Sequence, residues 1–222
     1  MTGDQGGAEP PQEASLRPFV VAGLAVAALA LAVAGWMWVA AQQREDVAVS
    51  MSVPPTCTGS EVEWRRVGDG DRLPAMRLSE SMDCRVRLRV SNHGRWPVQV
   101  ADVVFPLMGR HAGGAFRVEQ VAGIKPLVDA RSDGIDAVFR VDRRLAAGER
   151  YEVPVSFTFR PGGCTVRRAL VWLEQMPQIT VSAIGRAGTV SGHQVVAFRG
   201  TAASDCSSPP VRAIGPSMQT AP

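Results

Sequence analysis

The stretch Cys84-Arg-Val-Arg-Leu-Arg-Val90 has the clearest structural signature in the chain, because apolar and basic residues alternate along it without a break. Successive side chains of a β-strand point to opposite faces, so a period of two predicts a strand that is buried on one side. Cys84, Val86, Leu88 and Val90 would face a hydrophobic core. The three arginines between them would face solvent.

Outward from this strand, other short segments are extended in character and are separated by Gly- and Pro-containing turns. The segments predicted as strands are Val62–Val67, Val98–Phe105, Phe116–Val121, Ile135–Val141, Tyr151–Phe159, Ile179–Ile184 and Gln194–Arg199. No segment after the apolar run has the pattern of an amphipathic helix. The one candidate, Arg168–Gln175, is short and β-branched enough to be a strand. The pattern predicts a mainly β fold, an antiparallel immunoglobulin-like sandwich.

Turn residues predict how some of these strands connect. Asn92-His-Gly94 favours a turn, so Cys84–Val90 and Val98–Phe105 are predicted to form a hairpin. A Gly-rich connection predicts a second hairpin between Ile179–Ile184 and Gln194–Arg199. Pro154 lacks a backbone donor and therefore predicts an edge position or a bulge within its strand.

Two turn motifs occur at matching places along the chain. Val86–Val90 is followed by Asn92-x-Gly94, and Leu145-x-x-Gly148-Glu149 leads into Tyr151–Phe159. This pattern resembles bacterial immunoglobulin-like modules of the CARDB and fibronectin-III-like kind, over about Cys84–Arg160. The cysteines and a longer middle segment depart from those modules. The resemblance implies a sandwich fold and, by analogy alone, an adhesive, scaffolding or assembly role.

An uncharged apolar segment precedes the predicted strands, from Phe19 to Ala41. As a helix its 23 residues would extend about 34 Å, enough to cross a hydrocarbon core of about 30 Å. Ala32-Val-Ala34 also has the form of a signal-peptide cleavage site. The residues before the segment carry three acids and one arginine, which is unlike a signal peptide, and the apolar run is long. We therefore favour an uncleaved signal anchor, a transmembrane helix at 18–41 that contacts the lipid bilayer.

The predicted organisation follows from this helix. It comprises a disordered cytoplasmic tail at 1–17, the transmembrane helix at 18–41, a juxtamembrane linker at 42–53, an extracytoplasmic sandwich at 54–206 and a disordered tail at 207–222. Basic residues flank the helix on both sides, so their count does not decide its orientation. The strand-rich remainder and its four cysteines favour a cell-membrane protein with a cytoplasmic N-terminus and an extracytoplasmic C-terminal domain.

The four cysteines, Cys57, Cys84, Cys164 and Cys206, permit three pairings. We favour Cys57–Cys84 and Cys164–Cys206, because Cys57 and Cys206 lie near the two ends of the domain, each beside a partner next to a strand. A zinc site is the competing explanation, but the chain contains no C-x-x-C spacing and no adjacent Cys and His pair.

Arg85, Arg87 and Arg89 are the residues that we single out for binding. On one face of a strand they would stand about 7 Å apart, where they would suit anionic lipid headgroups, cell-wall polymers or an acidic partner. The alternative is a solvated sheet face, on which acidic side chains of neighbouring strands neutralise the arginines or the charges discourage edge pairing.

Composition excludes several other functions. A net charge of +3 is too small to predict nucleic-acid binding. The chain has one lysine, Lys125, and neither a Ser-x-x-Lys pair nor a G-x-S-x-G motif. We therefore predict no catalytic residues, no resident metal and no cofactor.

The sequence thus predicts a non-catalytic interaction or scaffold protein that binds an envelope protein or polymer. The alternative is an extracytoplasmic carrier of copper or a small ligand, because Met108 and His111 are close in sequence and are ligands that suit copper.

Overall fold

A computed structural model of the chain describes residues 17–67, 71–127, 134–173, 175–193 and 196–201. One helix, α1 (Arg17–Glu45), is followed by strands. In this part of the chain the strands are β1 (Val47–Thr58), β2 (Val62–Val67), β3 (Asp71–Arg77), β4 (Asp83–Asn92), β5 (Val98–Phe105), β6 (Phe116–Val121), β7 (Ala137–Leu145), β8 (Arg150–Phe159), β9 (Leu170–Trp172), β10 (Gln175–Ala183), β11 (Arg186–His193) and β12 (Ala197–Arg199).

The chain divides into two compact units, Met1–Val39 and Ala40–Pro222. The described part of the first unit is helical throughout, and the apolar side chains at 21–39 are exposed. Within α1, Val21–Glu45 is long and apolar enough to span a membrane, as the sequence predicts. The predicted tails at 1–17 and 207–222 lie outside the described residues except for Arg17.

The second unit begins with the last turn of α1, and here the prediction of a linker at 42–53 is wrong. The helix continues to Glu45, a single residue follows, and β1 begins at Val47. Gln, Arg and Glu at the end of α1 are good helix formers, and neither Gly nor Pro interrupts them. Gln43 is also buried against the sandwich, so packing stabilises the turn that the sequence pattern leaves open.

Two four-stranded antiparallel sheets form the body of the second unit. The strand order is β1-β4-β8-β6 in the first sheet and β11-β10-β5-β7 in the second. If β7 is set aside, this order corresponds to the A-B-E-D and G-F-C sheets of an immunoglobulin-like sandwich. The prediction of a mainly β sandwich behind one N-terminal helix is therefore confirmed.

A third sheet, β2-β3-β12-β9, contains one parallel pair, β3 with β12. Phe198 of β12 stacks on Phe116 of β6 and makes an edge contact with Phe157 of β8. Phe157 in turn contacts Phe105 of the second sheet. The aromatic contacts thus join all three sheets in one hydrophobic core.

β4 shows how the sequence pattern produces this core. Cys84, Val86, Leu88 and Val90 are each at most 2% exposed. The arginines between them lie on the outer face, as the alternation predicts.

Both predicted hairpins differ from the structure. β4 and β5 lie in different sheets, so the turn after Asn92 crosses between the sheets instead of closing a hairpin. At the other end of the domain β10 pairs with the Gly-rich segment itself, which is β11, and β12 joins the third sheet. Two β11 glycines lie where neighbours approach closely, Gly188 beside Arg44 and Gly192 beside Met176 and Pro177.

Pro154 lies in β8, an inner strand between β4 and β6, and not in an edge strand as predicted. At the position of Pro154 itself, however, β8 has no register partner in β6. The Pro154 carbonyl accepts a hydrogen bond from the Ala122 N–H at 2.7 Å, on the side of β6. The Pro154 nitrogen faces the same side, because N–H and C=O of one residue point the same way in an antiparallel strand. β6 ends at Val121, opposite Val155, so no ladder hydrogen bond is lost.

Candidate interaction surfaces

The three arginines of β4 lie together on the outer face of the first sheet. Arg85 and Arg87 are exposed, and Arg89 is partly exposed. We call this surface the arginine face. The strand alternation places the three side chains on the same side, as the sequence predicts.

The neighbours of the arginine face are mostly uncharged. On the neighbouring strands, Arg85 lies opposite Thr56 and Ser156. Arg87 lies opposite Val53 and Pro154. Glu152, opposite Arg89, is the one acidic residue among the cross-strand partners of the three arginines, and its Oε1 lies 3.2 Å from the Arg89 guanidinium. Within the described residues, no ion pair involves Arg85 or Arg87. Neutralisation by cross-strand acids therefore applies to one arginine of the three.

A disulfide fixes the edge of this surface. Cys57 of β1 is bonded to Cys84 of β4, as predicted, and the two residues are register partners. The bond closes a loop of 27 residues and would contribute about 3–4 kcal/mol to stability on chain-entropy grounds. Cys164 is also disulfide-bonded. Its predicted partner, Cys206, lies outside the described residues.

The second surface surrounds the end of α1. Gln43 is 3% exposed, and its Nε2 donates to Asn92 Oδ1 and to the Trp96 carbonyl, at 3.1 Å each. The Trp96 N–H donates back to Gln43 Oε1 at 3.2 Å. Both donors of this buried amide and one of the two acceptor positions of its oxygen are thus used, and we call the contact the helix dock.

Asn92 connects the helix dock to a second loop. It is fully buried, and its Nδ2 donates to the carbonyls of Trp96, Leu145 and Ala146 at 2.9, 3.3 and 2.9 Å. Its backbone accepts from the Gly148 N–H and donates to the Glu149 carbonyl. The two turn motifs that resemble bacterial immunoglobulin-like modules therefore interlock through one asparagine.

Arg44 provides a third attachment of α1. Its guanidinium donates to the carbonyl of Ala187, the second residue of β11, at 2.8 Å. A Cβ atom at Gly188 would lie 2.5 Å from the Arg44 Nη1. Glycine at this position leaves the space that the arginine occupies.

The surroundings of Glu149, in the loop beside Asn92, shift the pKa of its side chain. The Ala146 N–H donates to its Oε2 at 2.8 Å, and Arg143 lies 3.3 Å from its Oε1. The hydrogen bond from the Ala146 N–H is the largest effect and lowers the pKa of Glu149. Burial opposes it and the Arg143 guanidinium reinforces it, so that the pKa lies below its usual value. At neutral pH the Glu149 side chain is therefore a charged carboxylate, and in that form it holds the loop through the Ala146 N–H.

Arg160 lies at the opposite end of β8 and is only 9% exposed. Its guanidinium donates to the carbonyls of Gly109 and Ala112, while Nε finds no hydrogen-bond partner within the described part of the chain. Burial, and to a smaller extent the nearby charge of Arg117, lowers the pKa of Arg160. Its two carbonyl contacts fix the loop after β5 to the end of β8.

The copper alternative rests on residues that the structure places differently. Met108 is 1% exposed and belongs to the hydrophobic core, whereas His111 is exposed. In the ranges that the structure describes, no group of three or more His, Cys, Asp or Glu side chains has the arrangement of a metal site.

Sequence reasoning missed the helix dock. It placed Gln43 in a linker and interpreted Asn92 as a turn residue. The available signal was the absence of Gly and Pro between the apolar segment and β1, since a chain that must bend freely usually contains them. The burial of two amide side chains in a shared network has no sequence signature of its own.

Comparisons with known proteins identify no family. No family model matches the chain, and no curated protein matches it. Among solved structures, it is similar to a GH20 exo-β-N-acetylglucosaminidase from Vibrio harveyi, at 13% identity and a TM-score of 0.31. That alignment covers 75% of this chain and 19% of the glycosidase chain.

Proposed function

We propose that the protein is a single-pass membrane protein with a cytoplasmic N-terminus, whose extracytoplasmic sandwich binds an acidic envelope protein or polymer without catalysis. α1 is the anchor, and the arginine face is the binding surface. The resemblance to bacterial immunoglobulin-like modules agrees with an adhesive or scaffolding role.

The observation that carries this proposal is the direct passage from α1 into the sandwich. One residue, Asp46, separates the helix from β1, and Gln43 and Arg44 are hydrogen-bonded to the sandwich. A Gly- and Ser-rich tether would separate the two, whereas here the last residues of α1 are themselves hydrogen-bonded into the sandwich. A sandwich that begins directly at the end of the helix suits a protein that meets its partner close to the membrane.

The arginine face supplies the chemistry of binding. Guanidinium groups form paired hydrogen bonds with carboxylates and phosphates, and Arg85 and Arg87 have uncharged cross-strand neighbours. Exposed Val53 and Pro154 flank Arg87 and offer apolar contact around the charge. Such a surface fits an acidic partner with some apolar character.

The disulfides support the orientation. Structural disulfides persist in oxidising compartments and are rare in the cytosol, and Cys57, Cys84 and Cys164 are all disulfide-bonded. A periplasmic-type alkaline phosphatase fused to the C-terminus should be active. Activity of a cytosolic reporter alone at this position would contradict the orientation.

Photo-crosslinking in intact cells tests the binding surface. A photoreactive residue replacing Val53, the register partner of Arg87, should give a discrete adduct with the partner. The double variant Arg85→Gln/Arg87→Gln should lose most of that adduct, because the guanidinium forks are removed.

The control removes the same charge elsewhere. Arg66 and Arg72 are exposed register partners on β2 and β3, so Arg66→Gln/Arg72→Gln should leave the adduct unchanged. An adduct that survives Arg85→Gln/Arg87→Gln at its original yield would contradict binding through the arginine face.

A further inference from the structure

We propose that the loops around the helix dock form a second contact with the membrane, in which Trp96 and nearby arginines bind anionic phospholipid headgroups. The surface comprises Arg95, Trp96, Arg144 and Arg150, and we call it the Trp96 patch. This inference rests on the proposed membrane anchoring, and it adds a lipid-binding site on the sandwich itself.

The helix dock brings the Trp96 patch close to the end of the apolar segment. Gln43 lies two residues beyond Ala41, the last residue of that segment, which is about 3 Å of helical rise. Gln43 is hydrogen-bonded to both the N–H and the carbonyl of Trp96. The headgroup region is about 5–8 Å thick on each side of the hydrocarbon core. A helix that spans the membrane to Ala41 therefore places the Trp96 backbone at headgroup depth.

The other members of the patch share this position through Asn92. Its side chain contacts Trp96 and also the carbonyls of Leu145 and Ala146. Arg144 and Pro97 line one surface depression together with Ala146.

Arg150 belongs to the same end of the domain. It is the register partner of Ser91, the residue before Asn92. The β4–β5 and β7–β8 loops thus form one surface around the end of α1.

Trp96 has the chemistry of an interfacial anchor. Its backbone is fixed by hydrogen bonds, yet 55% of the residue remains exposed. An indole ring is apolar over its faces and donates a hydrogen bond at one edge, so tryptophan concentrates at membrane–water interfaces. Arg95, beside it, is exposed as well.

The charge of this end of the domain fits anionic lipid. Residues 43–46, 92–97, 143–150 and 184–187 contain six arginines against three carboxylates, a net charge of +3. The whole chain also has a net charge of +3, so the remaining residues are balanced. Guanidinium groups bind phosphate oxygens in pairs. An excess of arginine around an exposed tryptophan, at headgroup depth, favours phospholipid over a soluble partner.

Depth-dependent fluorescence quenching of the full chain tests this site. The protein is reconstituted in vesicles of phosphatidylcholine alone and of phosphatidylcholine with phosphatidylglycerol, each with or without bromine on the acyl chain near the headgroup. Subtracting the signal of Trp96→Phe isolates the emission of Trp96 from that of the other four tryptophans. We expect bromine to quench Trp96, and to quench it more strongly when phosphatidylglycerol is present.

A charge-matched pair of variants tests the arginines. Arg95→Gln/Arg144→Gln/Arg150→Gln should lose the increase that phosphatidylglycerol causes. Arg66→Gln/Arg72→Gln/Arg110→Gln removes the same charge from exposed positions elsewhere and should keep it. Equal responses of the two triple variants would contradict headgroup binding by these arginines.

Alkaline extraction separates failure of this site from failure of the anchoring. If the chain resists extraction and Trp96 is unquenched in both lipid compositions, the lipid contact is contradicted while the anchoring stands. If alkali removes the chain from membranes, the anchoring itself is contradicted, and the Trp96 patch falls with it.

Discussion

Asn92 has an unusual density of contacts for a single polar side chain. It is fully buried and joins α1, the β4–β5 loop and the β7–β8 loop. Burying an amide is unfavourable unless its donors and acceptors are all used, and here they are. Asn92 therefore ties the last residues of α1 to both loops.

Substitution of Asn92 measures this role. Asn92→Ala leaves several buried carbonyl and N–H groups without their partner, so we expect the free energy of unfolding to fall by about 3 kcal/mol. Gln99→Ala is the matched control, because it removes an amide that contacts Asp142 on the surface. It should cost at most about 0.5 kcal/mol. Denaturant unfolding in detergent, followed by tryptophan fluorescence, would measure both, and equal losses would contradict the role of Asn92.

Glu149 gives the loop beside Asn92 a pH dependence. Its pKa in the folded protein lies below the unfolded value of about 4.5, chiefly because the Ala146 N–H donates to the carboxylate. Its contribution to stability is complete above the unfolded pKa and is lost as the pH falls through the folded pKa.

Glu149→Gln should therefore be less stable than the parent protein at neutral pH, and the difference should disappear in acid. Unfolding midpoints measured from neutral pH downward would show this as two curves that converge. Glu152→Gln, on the exposed surface of β8, should give a smaller difference at neutral pH, because the Glu152 carboxylate makes one exposed ion pair with Arg89, whereas Glu149 also accepts a backbone hydrogen bond. Parallel curves for Glu149→Gln and the parent would contradict the assignment.

At the scale of the elements, α1 and the sandwich meet through side chains that adapt more easily than backbone. A Cβ atom at Gly94 would lie 1.9 Å from Gln43 Nε2, and its close neighbours are the atoms of the Gln43 amide. That amide can rotate away without disturbing the strands. A methyl group at Gly94 should therefore release the helix dock and leave the sandwich folded.

Gly94→Ala gives this idea a proteolytic test. Arg44 lies in the docked turn, where its guanidinium contacts the Ala187 carbonyl, so trypsin should cut slowly after it in the parent protein. In Gly94→Ala we expect cleavage after Arg44 to accelerate several-fold, while the unfolding midpoint of the sandwich changes little. Gly113→Ala is the control, because a Cβ atom there meets nothing within 4 Å. Unchanged cleavage of Gly94→Ala would contradict the helix dock.

The elements also show what sequence patterns predict well. An apolar run that stops at Pro106 predicted the bounds of β5. Period-two alternation placed β4 to within two residues at each end, because one buried face imposes a local rule on every second position. It misassigned the partners of β4, because a turn after Asn92 looks alike whether the chain returns within one sheet or crosses to another. The helix dock escaped for a similar reason, since Gln43 and Asn92 are 49 residues apart in sequence.

At the scale of the molecule, one attachment determines where both proposed surfaces lie. The Trp96 patch surrounds the end of α1, and the arginine face begins farther along β4. Arg89 and Arg85 are three and seven residues before Asn92, which corresponds to about 10 and 23 Å along an extended strand. A partner on the arginine face would thus be held within about 25 Å of Asn92. While the helix dock is closed, the end of α1 lies at Asn92 as well.

A flexible insert between Ala41 and Gln42 tests whether this fixed reach matters. About eight Gly and Ser residues would span about 16 Å on average and would free the sandwich from the anchor while both remain folded. We expect the Val53 adduct in intact cells to fall in yield, because the arginine face no longer stays at one height. The same insert after Gly7, before α1, should leave the adduct unchanged. An undiminished adduct with the insert after Ala41 would show that the partner follows the sandwich wherever it moves, and that the helix dock has no part in its capture.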